Sequence, residues 1–211
     1  MLALDHLVVA ARSLDEGVAW CEATLGVTPA PGGKHPMMGT HNRLLAIGSP
    51  AFPRSYLEII ATDPDAPAPS HRRWFDLDDP ALQAQLQRGP RLVHWALRCD
   101  DIEAVARHWR ADGMDPGEVR QVERQTAAGL LRWRICVRAD GRRLAGGAWP
   151  ALIEWGEEHP CDRLPDAGVW LQALATPSAP ALVRQGVFTL ANGESLQACF
   201  QTPAGTVLLD T

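Results

Sequence analysis

The strongest constraint on this chain is that it repeats itself. Sliding the sequence by 88 positions lays Leu92-Val93-His94-Trp95-Ala96-Leu97 over Leu4-Asp5-His6-Leu7-Val8-Val9, with the two histidines coincident. At the same offset Leu14-Asp15-Glu16 falls on Ile102-Glu103-Ala104. Each block reads as a strand, a polar N-cap (Ser13; Asp100 or Asp101) and an amphipathic helix. One helix carries Leu14, Val18, Cys21 and Leu25 on a single stripe, the other Ile102, Val105, Ala106 and Trp109. Both run into glycine and then proline, at Gly26 with Pro29 and at Gly113 with Pro116. Strand-like segments follow: "HNRLLAIG" and Ser55 to Ala61 in the first block, Leu131 to Val137 and Ala151 to Trp155 in the second. Each half therefore reads β-α-β-β-β.

The expected fold class is α+β, with tandem βαβββ modules over residues 1–63 and 91–162. Residues 64–90 read as a proline- and aspartate-rich linker ending in a short helix near Pro80 to Gln87. Residues 163–211 read as a degenerate third copy: Val169 to Leu174 resembles the first strand, with Gln172 where the histidine stood. A short helix near Ala179 to Arg184 and strands at Val187–Leu190, Ser195–Gln201 and Thr206–Leu209 complete it, joined by Asn192-Gly193 and Pro203-Ala204-Gly205 turns.

Composition narrows the function classes. A formal net charge of −5 argues against a nucleic-acid partner. No apolar run approaches the roughly 18 residues that span a membrane, and no basic segment leads into an apolar signal core, so export is not expected. The five cysteines are odd in number, scattered, and form no C-x-x-C pair. They fit reduced thiols in a cytoplasmic protein, not a disulfide frame or a zinc knuckle.

Strand periodicity points to a site. Alternate residues of a strand share a face, so Tyr56, Glu58 and Ile60 point one way and Leu57 with Ile59 the other. If the helices cover the Leu7 and Val9 face, the opposite face carries His6, Glu58, His94 and Glu154. Buried carboxylates beside imidazoles are explained by convergence on a divalent cation, and this N/O set suits Zn, Ni, Co, Fe or Mn. The competing arrangement pairs the glutamates with arginines such as Arg98 or Arg134 and holds no metal.

The paired modules with His, Glu, His and Glu resemble the vicinal oxygen chelate superfamily, which includes glyoxalase I. The stretches "PGGKHPMMGTHNRLLAIG", "YLEII", "LRWRI" and "PALIEWGEEHP" are similar, more narrowly, to the glyoxalase-like domain family. The resemblance covers residues 2 to about 162. It implies that each module curls a four-stranded sheet into half a barrel, with the site in the cleft between them. It also implies metal ligation by His6, Glu58, His94 and Glu154, and a lyase or isomerase on a small substrate with vicinal oxygens, in which Glu154 or Glu58 moves a proton. A dioxygenase fits four protein ligands less well.

Other residues bear on the substrate. His35, His41 and Asn42 lie in a glycine-punctuated loop and either line the substrate mouth or, like Thr40, satisfy turn backbone, with glycines supplying positive φ. Arg98 is a candidate for a substrate oxygen, as are Arg43 and Arg134. The segment around Lys34 lacks the spacing of a phosphate loop, and His159-Pro160-Cys161 reads as a surface turn, not a nucleophile with its base. The rival from another class is a small-molecule-binding, drug-sequestering module whose cleft is lined by Trp95, Trp133, Trp149 and Trp155. A monomer or a homodimer is compatible with both.

Overall fold

The computed structural model describes residues 1–126, 129–187 and 189–211. The first module runs β1 (Leu2–Ala10), α1 (Leu14–Leu25), β2 (Ala30–His35), β3 (Thr40–Ala46) and β4 (Tyr56–Thr62). After α2 (Pro80–Leu86), the second runs β5 (Arg91–Cys99), α3 (Ile102–Ala111), β6 (Glu118–Thr126), β7 (Gly129–Val137) and β8 (Ala151–Trp155). The tail adds β9 (Trp170–Thr176), α4 (Ala179–Arg184), β10 (Leu190–Asn192), β11 (Gln197–Thr202) and β12 (Gly205–Asp210). Phe188, within the strand expected over Val187–Leu190, lies outside the described residues.

The local signals explain the ends of the helices. Ser13 accepts from the Glu16 amide and Asp101 from the Ala104 amide, satisfying donors that a helix start leaves open. Gly26 ends α1 in the left-handed conformation at φ 76°. The glycines Gly32 and Gly33 fall within strand β2 rather than in a loop. Neither has a positive φ, and the missing side chains instead make room for neighbours.

Eight strands form one sheet in the order β2-β3-β4-β1-β5-β8-β7-β6. In each half the first and last strands pair in parallel, β1 with β4 and β5 with β8. The halves join through antiparallel β1 and β5. The sheet curls until its edge strands β2 and β6 approach each other, giving a nearly closed barrel. The tail repeats the β-α-β-β-β order with different pairing, β10-β9-β11-β12.

Two apolar layers sit on the two faces. On the convex side Leu7, Val9, Leu57, Ile59, Leu97 and Leu152 pack under α1, α3 and the small sheet. On the concave side Val8, Ala10, Ile60, Ala96, Trp133 and Ile153 face inward. The linker does not skirt the surface as its composition suggested. Trp74, Phe75 and Leu77 are buried in the concave layer, together with Leu82 and Leu86 of α2. Phe75 and Asp76 both adopt positive φ of 61° to turn the chain inward.

Helix α1 rests on the strand that carries Glu58 through a glycine. A Cβ on Gly17 falls 2.4 Å from the Ile59 Cγ2. Gly17→Ala gains up to about 1 kcal/mol of helix propensity but overpacks this contact, at a cost of roughly 1–3 kcal/mol. The variant is expected to melt at lower temperature than the wild type in calorimetry, and Ile59→Ala in the same chain is expected to remove that penalty.

Candidate functional site

The concave face holds a narrow hollow, about 430 Å3 of space free of protein atoms with its mouth included. Four strands supply its polar wall: His6 from β1, His35 from β2, Asn42 from β3 and Glu58 from β4. Trp133 of β7 and Trp155 of β8 supply the facing aromatic wall, with rings 5.6 Å apart. Trp74 and Phe75 of the linker close one end.

Glu58 is 6% exposed. Its Oε1 accepts from the Asn42 Nδ2 at 2.6 Å. Its Oε2 lies 3.8 Å from His6 Nε2, beyond hydrogen-bond reach, and Oε1 lies 4.0 Å from His35 Nε2. Asn42 is itself fixed, because its Oδ1 accepts from the Gly33 amide at 2.8 Å. A Cβ on Gly32 falls 2.1 Å from that same Oδ1, so the glycine is what admits the amide.

His6 is oriented from behind. Its Nδ1 donates to Asp5 Oδ1 at 2.7 Å, and its ring stacks on Tyr56 at 4.8 Å. Asp5 is completely buried, and a buried carboxylate requires several donors. Its Oδ2 accepts from Trp155 Nε1 and from His159 Nε2, both at 2.9 Å. His159 Nδ1 accepts from the Cys161 amide at 3.1 Å, so Nε2 carries the proton given to Asp5. Burial alone pushes the Asp5 pKa up, but the hydrogen bonds and charges of His159 and His6 outweigh it and hold the carboxyl ionised far below its usual range. Burial lowers the His6 pKa, and the Asp5 hydrogen bond and charge overcome that to raise it. His35 has no such partner: burial and the charge of Arg124 push its pKa down to about 3, so it is neutral near pH 7.

The four-residue ligand set expected from the repeat is not brought together. In the first half Glu58 lies opposite Val8, two residues after His6. The matching position of the second half, Ala96, lies opposite Ala151. The register counterpart of Glu58 is therefore Ala151. Glu154 stands three residues further, on the convex face with Leu152. There it accepts from the Ile102 amide at the start of α3 at 2.8 Å and from Arg134 at 2.6 Å. This is the arginine pairing that competed with the metal arrangement. His94 does face inward, but the linker separates it from His6: Phe75 packs on its ring at 5.1 Å and a second hollow, lined by Arg138 and Arg143, encloses it. Among the described residues no three His, Cys, Asp or Glu side chains are grouped as metal ligands. The donors present do not fit the divalent cation that the resemblance implied.

Other expected substrate contacts also fall elsewhere. Trp95 is fully buried on the convex side, its Nε1 donating to the Gly147 carbonyl at 3.2 Å. Trp149 packs edge-on against Trp109 there. Arg98 clamps the Leu4, Pro53 and Arg54 carbonyls, which ties β1 to the β3–β4 connection. His41 sits on the outer face of β3, 3.9 Å from Asp63. His35, Asn42, Trp133 and Trp155 do line the hollow. His159 is buried, not on a surface turn, and burial pushes the Cys161 thiol up to about 12. Sequence reasoning missed Asp5 and Arg124, and set His159 aside as part of a surface turn. For Asp5 the signal was an acid in an otherwise apolar strand, directly before the histidine.

The sequence matches the glyoxalase-like domain family over residues 4–186. The chain belongs to that family. Among solved structures, a hypothetical protein from Staphylococcus aureus superposes with a TM-score of 0.56 at 16% identity, covering 100% of this chain and 85% of that one. A methylmalonyl-CoA epimerase from Mycobacterium tuberculosis matches with a TM-score of 0.42 at 24% identity, covering 72% and 86%. A Streptomyces coelicolor methylmalonyl-CoA epimerase variant in complex with 2-nitronate-propionyl-CoA gives 0.45 at 20%, covering 75% and 99%. At 16% identity the Staphylococcus aureus match bears on fold alone. No curated protein gives a significant match. No helix among the described residues of this glyoxalase-like domain is long and apolar enough to cross a membrane.

The Asp5–His6 pair yields a titration with a definite sign. In Asp5→Asn the anion that sustains the imidazolium is gone and burial acts with less opposition, so the His6 midpoint is expected to fall. NMR of the ring protons across about pH 5 to 8 measures it. The raised His6 value contributes stability that is present below the unfolded histidine value near 6.5 and lost as pH rises through the folded value, while the lowered Asp5 value contributes stability that is lost as pH falls below the ordinary carboxylate range. The same variant should unfold about 3–5 kcal/mol more easily at neutral pH, since it strips one side of a buried charge network.

Proposed function

We propose that this glyoxalase-like domain is an enzyme, an isomerase or lyase, that moves a proton on a small oxygen-bearing substrate with Glu58 as its base. The observation that carries the reading is the setting of Glu58. One oxygen is held by Asn42, the other faces His6 across a gap too long for a direct bond. A reacting group fits between a carboxylate and an imidazolium placed in this way.

In the step that follows, the Glu58 carboxylate takes a proton from a carbon beside a carbonyl. The electron pair of the broken C–H bond moves onto the carbonyl oxygen as an enolate. The His6 imidazolium, charged to higher pH than an ordinary histidine, offers its Nε2–H to that oxygen. Neutral His35 and the aromatic wall keep the site poor in water. Return of the proton from Glu58 to the same carbon gives exchange. In a 2-hydroxy carbonyl compound, passage of the hydroxyl proton to the enolate oxygen and return of the Glu58 proton to the neighbouring carbon give an isomer. Departure of a neighbouring leaving group gives an elimination. No step is routed through a metal, because the residues gathered here do not form a ligand set for one.

The hollow's aromatic wall favours a second reading, a module that sequesters an aromatic molecule without chemistry. Incubation in D2O with a panel of 2-oxo and 2-hydroxy carbonyl compounds separates the two. The enzyme reading expects loss of the C–H signal in proton NMR, reduced about 10²–10⁴-fold by Glu58→Gln. Its rate should decline as pH rises through the raised His6 value, with Asp5→Asn moving that limb to lower pH. Exchange no faster than with Glu58→Gln for every compound, alongside tight binding of polycyclic aromatics, would support the sequestering module.

A further inference from the structure

Arg124 is the group in the hollow that the proton-transfer step leaves without a task. It projects from β6 at the seam where the edge strands β2 and β6 close the barrel. Its Nε and Nη1 are shielded from solvent and have no hydrogen-bond partner among the described residues. It also makes no ion pair within 4.0 Å there, whereas other arginines such as Arg73, Arg134 and Arg143 each hold a carboxylate at 2.6–2.7 Å. Burial, the largest influence, lowers its pKa, while the negative charge of Glu58 reaches it from across the hollow without making contact. Arg124 as a whole is half-buried, and shielded donors left without a partner are costly unless a ligand completes the group.

The surroundings hold the fork in place. The guanidinium carbon lies 5.9 Å from the Trp133 ring centre. On the other side is Gly33, where an added Cβ would fall 2.4 Å from Nη1 and 2.7 Å from Cδ. The side chain thus passes through a slot that only a glycine leaves open.

Arg124 also stands at a throat. It lines the inner hollow and a much larger outer groove, about 1840 Å3 with its open side included, and the two share Leu44, Leu131 and Pro160 as well. The outer groove is walled largely by apolar groups such as Pro31, Leu164 and Pro165. Its charged residues are neutralised locally, Lys34 by Asp63 at 2.8 Å and Arg163 by Glu158 at 2.7 Å.

From this arrangement we propose that Arg124 is the receptor for a substrate carboxylate, and that the substrate is a 2-oxo acid with an apolar body lying in the outer groove. The carboxylate takes the fork of Arg124, bidentate in the manner guanidinium favours. The 2-oxo oxygen and the C3–H then lie inward, toward His6 and Glu58, and the chain turns at C3 back past Leu44 and Leu131 into the outer groove. The inference uses the hollow of the proposed function but depends on Arg124 for binding, not on Glu58 for chemistry.

Titration of tryptophan fluorescence tests it, because Trp74, Trp133 and Trp155 line the hollow. The probes are straight-chain 2-oxo acids from 2-oxobutanoate to 2-oxooctanoate and their methyl esters. The wild type should bind each acid about tenfold or more tightly than its ester, with affinity rising along the series. Arg124→Met should erase the difference between acid and ester. Arg124→Lys, which keeps the charge and loses the fork, should retain only part of it. Gly33→Ala should weaken acid binding with Arg124 still in the chain, and far-ultraviolet circular dichroism confirms that each variant is folded. Equal binding of acid and ester by the wild type, unchanged preference in folded Arg124→Met, or no binding of any acid at millimolar concentration overturns the assignment. Glu58→Gln separates the two claims: it should bind acids at least as well as the wild type while losing C–H exchange. Acid selectivity with exchange unaffected by Glu58→Gln would leave Arg124 as receptor and remove Glu58 as base.

Discussion

Asp5 is the fixed point of this molecule. A fully buried carboxylate cannot be left with one partner, and the three it has come from distant parts of the chain: His6 beside it, Trp155 at the end of β8, and His159 in the segment beyond. The network joins the first strand of one module to the last strand of the other at the floor of the shared barrel. It also sets the site, because the hydrogen bond to Nδ1 leaves His6 Nε2 as the nitrogen that faces Glu58. Stability and proposed chemistry thus draw on the same charge.

The two modules are alike in backbone and unlike in use. The first gathers His6, His35, Asn42 and Glu58 along four adjacent strands. In the second, alanine occupies the position matching Glu58, and Trp74 and Phe75 of the linker fill the space over His94. The linker inserts aromatic surface where a symmetric pair would keep an open cleft. One pseudo-symmetric barrel therefore carries a single polar hollow, shut at one end by aromatic side chains and opening at the β2–β6 seam into the wide groove.

Much of this was legible in the sequence. The offset of 88 between His6 and His94, the caps at Ser13 and Asp101, and the helix at Pro80 each rest on local chemistry, and each appears in the structure. So does Glu58 on the inward face with Tyr56 and Ile60, whereas His35 and Asn42 had two open readings, lining the hollow or holding backbone, and Asn42 does both. Glu154 shows where such reading ends. Period two places it with Leu152, but nothing in the period says which face of β8 turns inward. A polar residue in the last strand of each half suggested equivalence, whereas the hydrogen-bond register placed the two glutamates three positions out of step. Trp95 is a different case: it alternates with His94 and Ala96 of the inward face, so the period itself sends its indole beneath the helices with Leu7 and Leu97, against the reading that put it in the cleft.

The sequence by itself determined the repeated order of elements, their ends and the alternation within each strand, because these depend on neighbours within a few residues along the chain. Only the tertiary structure decided which side chains share the hollow. Convergence of Asp5 with His159, or of Arg124 with Gly33, depends on strand register, sheet curvature and the path of the linker. Those are settled by close packing and by the need to satisfy buried charge among residues up to 154 positions apart.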